Sequence, residues 1–174
     1  MKKFLIPSIL FLFLNSSVLA HMDHYKKINK IEMEIFRNNE LIGYNYYFFT
    51  RKDQETIVTN QIKFSVKLLG AIIFEVEGYG EEKYHKNQLI SYKSKTIQNK
   101  KEKFVKLLYD KKNNQFDIKG SSYDGKASTD SIIGNWWNHK ILQVNSQISP
   151  ISGSIKNQIV TFIGKEKINL YGKV

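Results

Sequence analysis

Between Ile62 and Tyr84 the chain reads IKFSVKLLGAIIFEVEGYGEEKY, and oil and charge take turns along it. Ile62, Phe64, Val66 and Leu68 alternate with Lys63, Ser65 and Lys67. Beyond Gly70, Ile72, Phe74 and Val76 alternate with Ile73, Glu75 and Glu77. A two-residue period puts each set on one side of an extended strand. The stretch therefore predicts two half-buried antiparallel strands bent at Gly70, one face apolar and the other charged.

The same period runs through most of the remaining chain. Lys30 to Arg37 sets Ile31, Met33 and Ile35 against Glu32 and Glu34. Asn38-Asn39 supplies a turn, because asparagine tolerates positive φ. Glu40 to Thr50 is aromatic and β-prone, and Gly43 inside it predicts a bulge or a close backbone approach. Arg51 to Gln54 is the next turn, and Glu55 onward flows into the Ile62 stretch. Lys86-Asn87-Gln88 closes a hairpin with Leu89 to Gln98 as the returning strand, which brings Glu81 near Lys93. Lys100 to Asp110 fits either period. The turn-rich Lys111 to Gln115 that follows, with Phe116 to Lys119 as a return, favours a strand. Ser121 to Asp130 reads as a loop with Asp124-Gly125 as its turn dipeptide.

Ser131 to Val144 changes period. Ile133, Trp136, Trp137, Lys140, Ile141 and Val144 share one side of a helix, and Ser128 or Asp130 can cap its start. After Pro150 and Gly153, strand character resumes over 155–164 and 165–174. The predicted fold is one mainly β domain: a strongly curved antiparallel sheet or incomplete barrel with one short helix, about 131–144, packed on it.

Charge narrows the partners. The 174 residues carry a formal charge of +11 and no cysteine. A basic chain raises nucleic acid or an anionic membrane surface as a partner. Of the 27 basic residues only Arg37 and Arg51 are arginine, the side chain that forks onto phosphates and base edges. The charge is also spread along the chain, so nucleic-acid binding is not expected.

The first twenty residues read as a secretory leader: Lys2 and Lys3, an apolar run from Phe4 to Leu14, then NSSVLA with small residues before a cut after Ala20. The apolar run is short for a membrane span. Residues 21–174 are then an exported, periplasmic domain. INLYGKV at the end has the pattern of a strand interior, so the domain is expected to be truncated at its C-terminus.

Candidate chemistry is sparse. His21, His24, His85 and His139 would have to supply any copper or zinc site without cysteine help, and no metal or cofactor is expected. Glu75, Glu77 and Glu81 could act as paired acids, but strand acids facing strand lysines explain them more simply. Gly153-Ser154 is followed by Ile155 and Lys156, so the G-x-S-x-G elbow fails, and phosphate-binding glycine patterns are absent. The chain is not expected to be an enzyme. Aromatics form 13% of it. Val66, Leu68, Phe74, Trp136, Trp137 and Ile141 are the residues expected to line an apolar space between sheet and helix. The alternative is that these rings are ordinary core.

Scattered positions also carry a resemblance: Leu41-Ile42-Gly43, then Phe64, Val66 and Gly70, Glu82-x-Tyr84 with Leu89, Trp137-Asn138, Ile141-Leu142, Ser152-Gly153 and Gly164-Lys165-Glu166. Together they resemble an uncharacterised exported proteobacterial family, domain of unknown function 6134, with Tyr84 where that family's pattern has tryptophan. The resemblance implies an open antiparallel sheet wrapped about a helix, similar to periplasmic lipoprotein carriers, and no known activity. The expected function is non-enzymatic binding of an apolar or lipid-like ligand. The alternative is a structural or protein-partner-binding envelope module that uses an exposed sheet edge.

Overall fold

The computed structural model describes residues 27–165 and 167. The leader expected over residues 1–20 and most of the last strand expected over 165–174 lie outside them. Eight strands form one antiparallel meander in which each pairs with the next along the chain. They are β1 (Lys30–Arg37), β2 (Glu40–Lys52), β3 (Glu55–Leu68), β4 (Ala71–His85), β5 (Gln88–Gln98), β6 (Lys101–Asp110), β7 (Gln115–Gly120) and β8 (Asp124–Ser128). The sheet is not closed: β1 and β8 are its two edges. A second, small sheet joins β9 (Ile132–Ile133), β10 (Ser146–Ile148) and β11 (Ile155–Asn157). In it β10 runs antiparallel to β11 and parallel to β9.

Local chemistry explains the hairpins. Positive φ is needed in tight turns that match strand twist. It falls on Asn38 and Asn39, Asp53, Lys86 and Asn87, Asn99 and Lys100, and Asn114, mostly asparagine as expected. The turn at Leu69-Gly70 is different, with φ of 51° at a leucine and 81° at the glycine.

Alternation sorts the strands into two faces. Tyr47, Phe49, Val58, Tyr84, Tyr92, Val105, Leu107, Phe116 and Ile118 are all buried on one face, the core face. The other face is open to water and laced with ion pairs: Lys63 to Glu77 at 2.8 Å, Lys93 to Glu81 at 3.1 Å and Lys95 to Glu102 at 3.0 Å. The expected neighbours Glu81 and Lys93 are indeed register partners. Gly43 also behaves as expected. The β1–β2 register slips beside it, between Ile35 and Phe36. A Cβ on Gly43 would stand 2.1 Å from the Lys63 carbonyl oxygen.

Residues 131–157 cross the core face and cover part of it; we call them the cover segment. Ile133, Trp137 and Ile148 from it join the core cluster. Tyr92 and Ser94 hydroxyls donate to the Pro150 carbonyl at 3.0 and 2.6 Å.

Three expectations are corrected. The helix over 131–144 is absent; its place holds β9, an irregular stretch and one 3-10 turn at His139–Leu142. Its amides go to partners that a helix would not allow. Gly134 N–H donates to the Ile148 carbonyl at 2.9 Å, Asn135 N–H to the Ile133 carbonyl at 2.7 Å, and Trp136 N–H to the Tyr47 hydroxyl at 3.2 Å. Ser128 and Asp130 bond to each other instead of capping a helix. Asp124-Gly125, expected in a loop, begins β8, paired with Lys119 and Ile118 of β7. Of the strand expected over 155–164 only Ile155–Asn157 forms.

Candidate functional site

Two parts of the sheet carry unusual chemistry, one on the core face and one at an end. The first is a carboxyl group inside the core. Alternation along β4 puts Gly78, Gly80, Glu82 and Tyr84 on the core face, with Glu82 opposite Val58 on one side and Tyr92 on the other. Glu82 is 2% exposed. Its Oε1 accepts from Trp137 Nε1 at 2.8 Å and from Asn135 Nδ2 at 2.6 Å, and its Oε2 accepts a short bond from the Tyr84 hydroxyl. Trp137 stands edge-on to Phe49 at 5.3 Å and to Tyr84 at 6.1 Å between ring centres. Burial pushes the Glu82 carboxyl above its ordinary range, against the pull of its three donors. Burial and the neighbouring Glu82 together hold the Tyr84 hydroxyl well above its usual value.

Beside this anchor lies a second polar cluster. Tyr47 hydroxyl accepts from Asn45 Nδ2 at 2.9 Å and from the Trp136 amide, while Asn60 Nδ2 donates to Asn45 Oδ1 and to the Tyr46 carbonyl. A cavity of about 110 Å³ opens next to it, between Asn60, Thr96 and Tyr92 of the sheet and Asn135, Trp136 and Ile151 of the cover. Trp136 is 78% exposed, whereas its neighbour Trp137 is sealed in the core. These polar groups fasten the cover to the sheet. Glu82 in particular is closed off from solvent, with both oxygens occupied.

The second unusual part is the end of the sheet that the cover does not reach. There β3 and β4 run on beyond their neighbours to the Leu69-Gly70 turn. Phe64 and Phe74 lie 5.8 Å apart, half-buried, and Leu68, Ile72 and Ile73 are exposed. Below the turn, on the open face, is a shallow depression of about 400 Å³ where Ile42, Tyr44, Ile72 and Ile97 mix with Ser65 and Glu75. The Lys63–Glu77 pair also borders it.

Of the residues expected to share one apolar space, the structure brings together only some. Val66, Leu68 and Phe74 gather at the uncovered end, with Val66 and Phe74 in register. Trp137 packs near Val58 and Glu82, eight residues along β3 from Val66, or roughly 25 Å. Trp136 borders the small polar cavity, and Ile141 is half-buried in the 3-10 turn. Glu82 entered the sequence reading only through the Glu82-x-Tyr84 resemblance, with no role given to it, and Asn45, Asn60 and Asn135 did not enter it. His85 ends β4 and His139 opens the 3-10 turn, while His21 and His24 lie outside the described residues. Among the described residues no three His, Asp or Glu side chains are grouped to hold a metal ion, and no helix is long and apolar enough to cross a membrane.

No curated protein matches the chain, and no solved structure does. A family model described as Domain of unknown function (DUF6134) matches residues 33–174. The chain, with its open eight-stranded meander, belongs to that family.

Proposed function

We propose that this chain is an exported, non-catalytic binding protein of the cell envelope, and that it holds an apolar or lipid-like molecule at the uncovered end of its sheet. One observation carries the reading: a depression of about 400 Å³ with an apolar part, Ile42, Ile72 and Ile97, and a polar rim of Lys63, Ser65, Glu75 and Glu77 lies open beside exposed leucines and isoleucines, which suits an amphipathic ligand. Its size falls within the range of small-molecule sites, roughly 300–1,000 Å³. The non-catalytic role is supported by the state of the perturbed acid, since Glu82 is sealed and spent on three donors. Export is supported by the Lys2, Lys3, Phe4 to Leu14 and Ala20 pattern.

Displacement of a fluorescent fatty acid tests the binding. Saturable displacement is expected, weakened at least tenfold by Ile97→Asp, an exposed lining position, with the far-ultraviolet circular dichroism unchanged. Absence of saturable binding would remove the reading. A second reading, recruitment of a protein strand by β1 or β8, draws on the open edges of the sheet. Lys30, Glu32 and Glu34 along β1 are the kind of charges that discourage such pairing.

A further inference from the structure

The Leu69-Gly70 turn breaks the rule that the chain's other turns obey. Its counterparts carry Asn38-Asn39, Lys86-Asn87 and Asn99-Lys100. Here a leucine occupies the left-handed region at φ 51° and is 100% exposed. That conformation suits asparagine or glycine and disfavours leucine. Turn geometry alone thus gives no reason for an apolar side chain at this position.

The apolar character continues around it. Leu68 is 58% exposed, Ile72 55% and Ile73 51%. Leu68 falls on the core-face side of β3 and Ile72, in register with Lys67, on the other, while Ile73 is the extra residue of the register slip there. The tip is therefore greasy all round. A folded protein partner would cover one face of such a hairpin, whereas a bilayer surrounds it. The β1–β2 hairpin ends on the same side of the sheet, since Gly43 pairs with Phe64, and it adds Phe36 and Leu41, 50% and 54% exposed. The β5–β6 turn ends there too, tied to β4 by the Asn99 amide donating to the Glu75 carbonyl at 3.1 Å.

Charge points to the sign of the surface. Residues 37–41, 67–73 and 99–101, which form these turns, contain Arg37, Lys67, Lys100 and Lys101 against one acid, Glu40. None of those four cations is in an ion pair among the described residues. Elsewhere on the open face Lys63, Lys93 and Lys95 are matched by glutamates, while Lys106 and Lys119 face each other across β6 and β7. Apolar side chains ringed by unmatched cations suit an interface with anionic lipid.

We propose that this end of the sheet docks on an anionic lipid bilayer, with Leu68, Leu69, Ile72 and Ile73 entering the headgroup region and Arg37, Lys67, Lys100 and Lys101 meeting the phosphates. The proposal concerns the same end of the sheet as the ligand reading, but it does not need the depression to hold anything. Co-sedimentation of the full chain with phosphatidylglycerol vesicles and with phosphatidylcholine vesicles tests it. Binding to the anionic vesicles is expected, weaker but not lost at high salt. Leu69→Asn is the decisive variant. Asparagine accepts the left-handed turn, so its thermal midpoint should match or exceed that of the parent, while vesicle affinity drops at least tenfold. Any binding through the apolar N-terminal stretch is common to both proteins and cancels.

Equal binding by Leu69→Asn and the parent would overturn the proposal, as would no binding to either vesicle. Self-association lost in Leu69→Asn without vesicle binding would overturn it in favour of a second copy as occupant. Fatty-acid displacement without vesicles keeps the two readings apart. If it persists while vesicle binding fails, docking falls and ligand uptake stands. If vesicle binding holds while displacement fails, ligand uptake falls and docking stands.

Discussion

A carboxyl group facing inward from β4, Glu82, ties together donors from β4 itself and from the cover segment. Its replacement should separate charge from shape. Glu82→Gln keeps an acceptor for Trp137 and Asn135 and is expected to fold. Glu82→Ala leaves three buried donors without a partner as well as a void, and should lower stability by about 3 kcal/mol or more in urea unfolding. The pH dependence follows from the direction of the shift. Glu82 holds its proton to higher pH in the folded chain than in the unfolded one. Its contribution is therefore fully present below the ordinary value of 4.5 and is lost as pH rises through the elevated folded value. Urea midpoints of the parent should fall across that window relative to those of Glu82→Gln; parallel profiles would contradict the assignment. Thr96 gives a contrasting case, since it is 4% exposed and its hydroxyl has no hydrogen-bond partner among the described residues. Thr96→Val should change stability by less than about 0.5 kcal/mol or raise it. Glu82 was legible in principle: carrying the alternation on from Val76 through Gly78 and Gly80 lands on it. Glu75, Glu77 and Glu81 fall on the opposite, outward set of the same alternation. The asparagines were not legible, because their partners lie in segments distant in sequence.

At the scale of elements, strands and turns were readable where one face is wet. From β1 to β7 the two-residue period outlines the strands, and asparagine-bearing turns mark most of the hairpins, with Asp53 and Leu69-Gly70 as the exceptions. Period fails in the cover segment because its partners are on all sides. Ile132 and Ile133 are both buried although adjacent, and Trp136 and Trp137 lie on opposite sides. A helical stripe can be drawn through such residues without a helix existing. The Gly134 position adds a local reason, since a Cβ there would stand 2.3 Å from Gln147 Oε1. The uncovered end is half legible: its residues were picked, but grouped with tryptophans that belong elsewhere. Gly43 offers a test of strand spacing. Gly43→Ala would press a methyl group against the Lys63 carbonyl and Phe64 Cα. We expect a loss of about 3 kcal/mol, with hydrogen exchange faster at the β2–β3 amides than at those of β6–β7.

Over the whole molecule, the charge of +11 does not become a single basic face. On the open face Lys63, Lys93 and Lys95 are paired with glutamates, and unmatched lysines sit both at turns and in β6 and β7. Stability rests instead on the sheet and its cover acting as one core. Trp137→Ala removes the largest fully buried side chain and one donor to Glu82, and should cost about 3–5 kcal/mol. Stopped-flow measurements should find that loss mostly as faster unfolding, with the refolding rate little changed.

That kinetic asymmetry comes from the meander. Each hairpin closes over a few residues, whereas the bonds of the cover reach across 53, 55, 58 and 89 positions. Short closures are quick and long ones slow. A chain threading through a narrow exit from its N-terminus would zip strand upon strand as each appears, and residues 131–157, emerging after all eight, would then fall across the finished sheet like a latch.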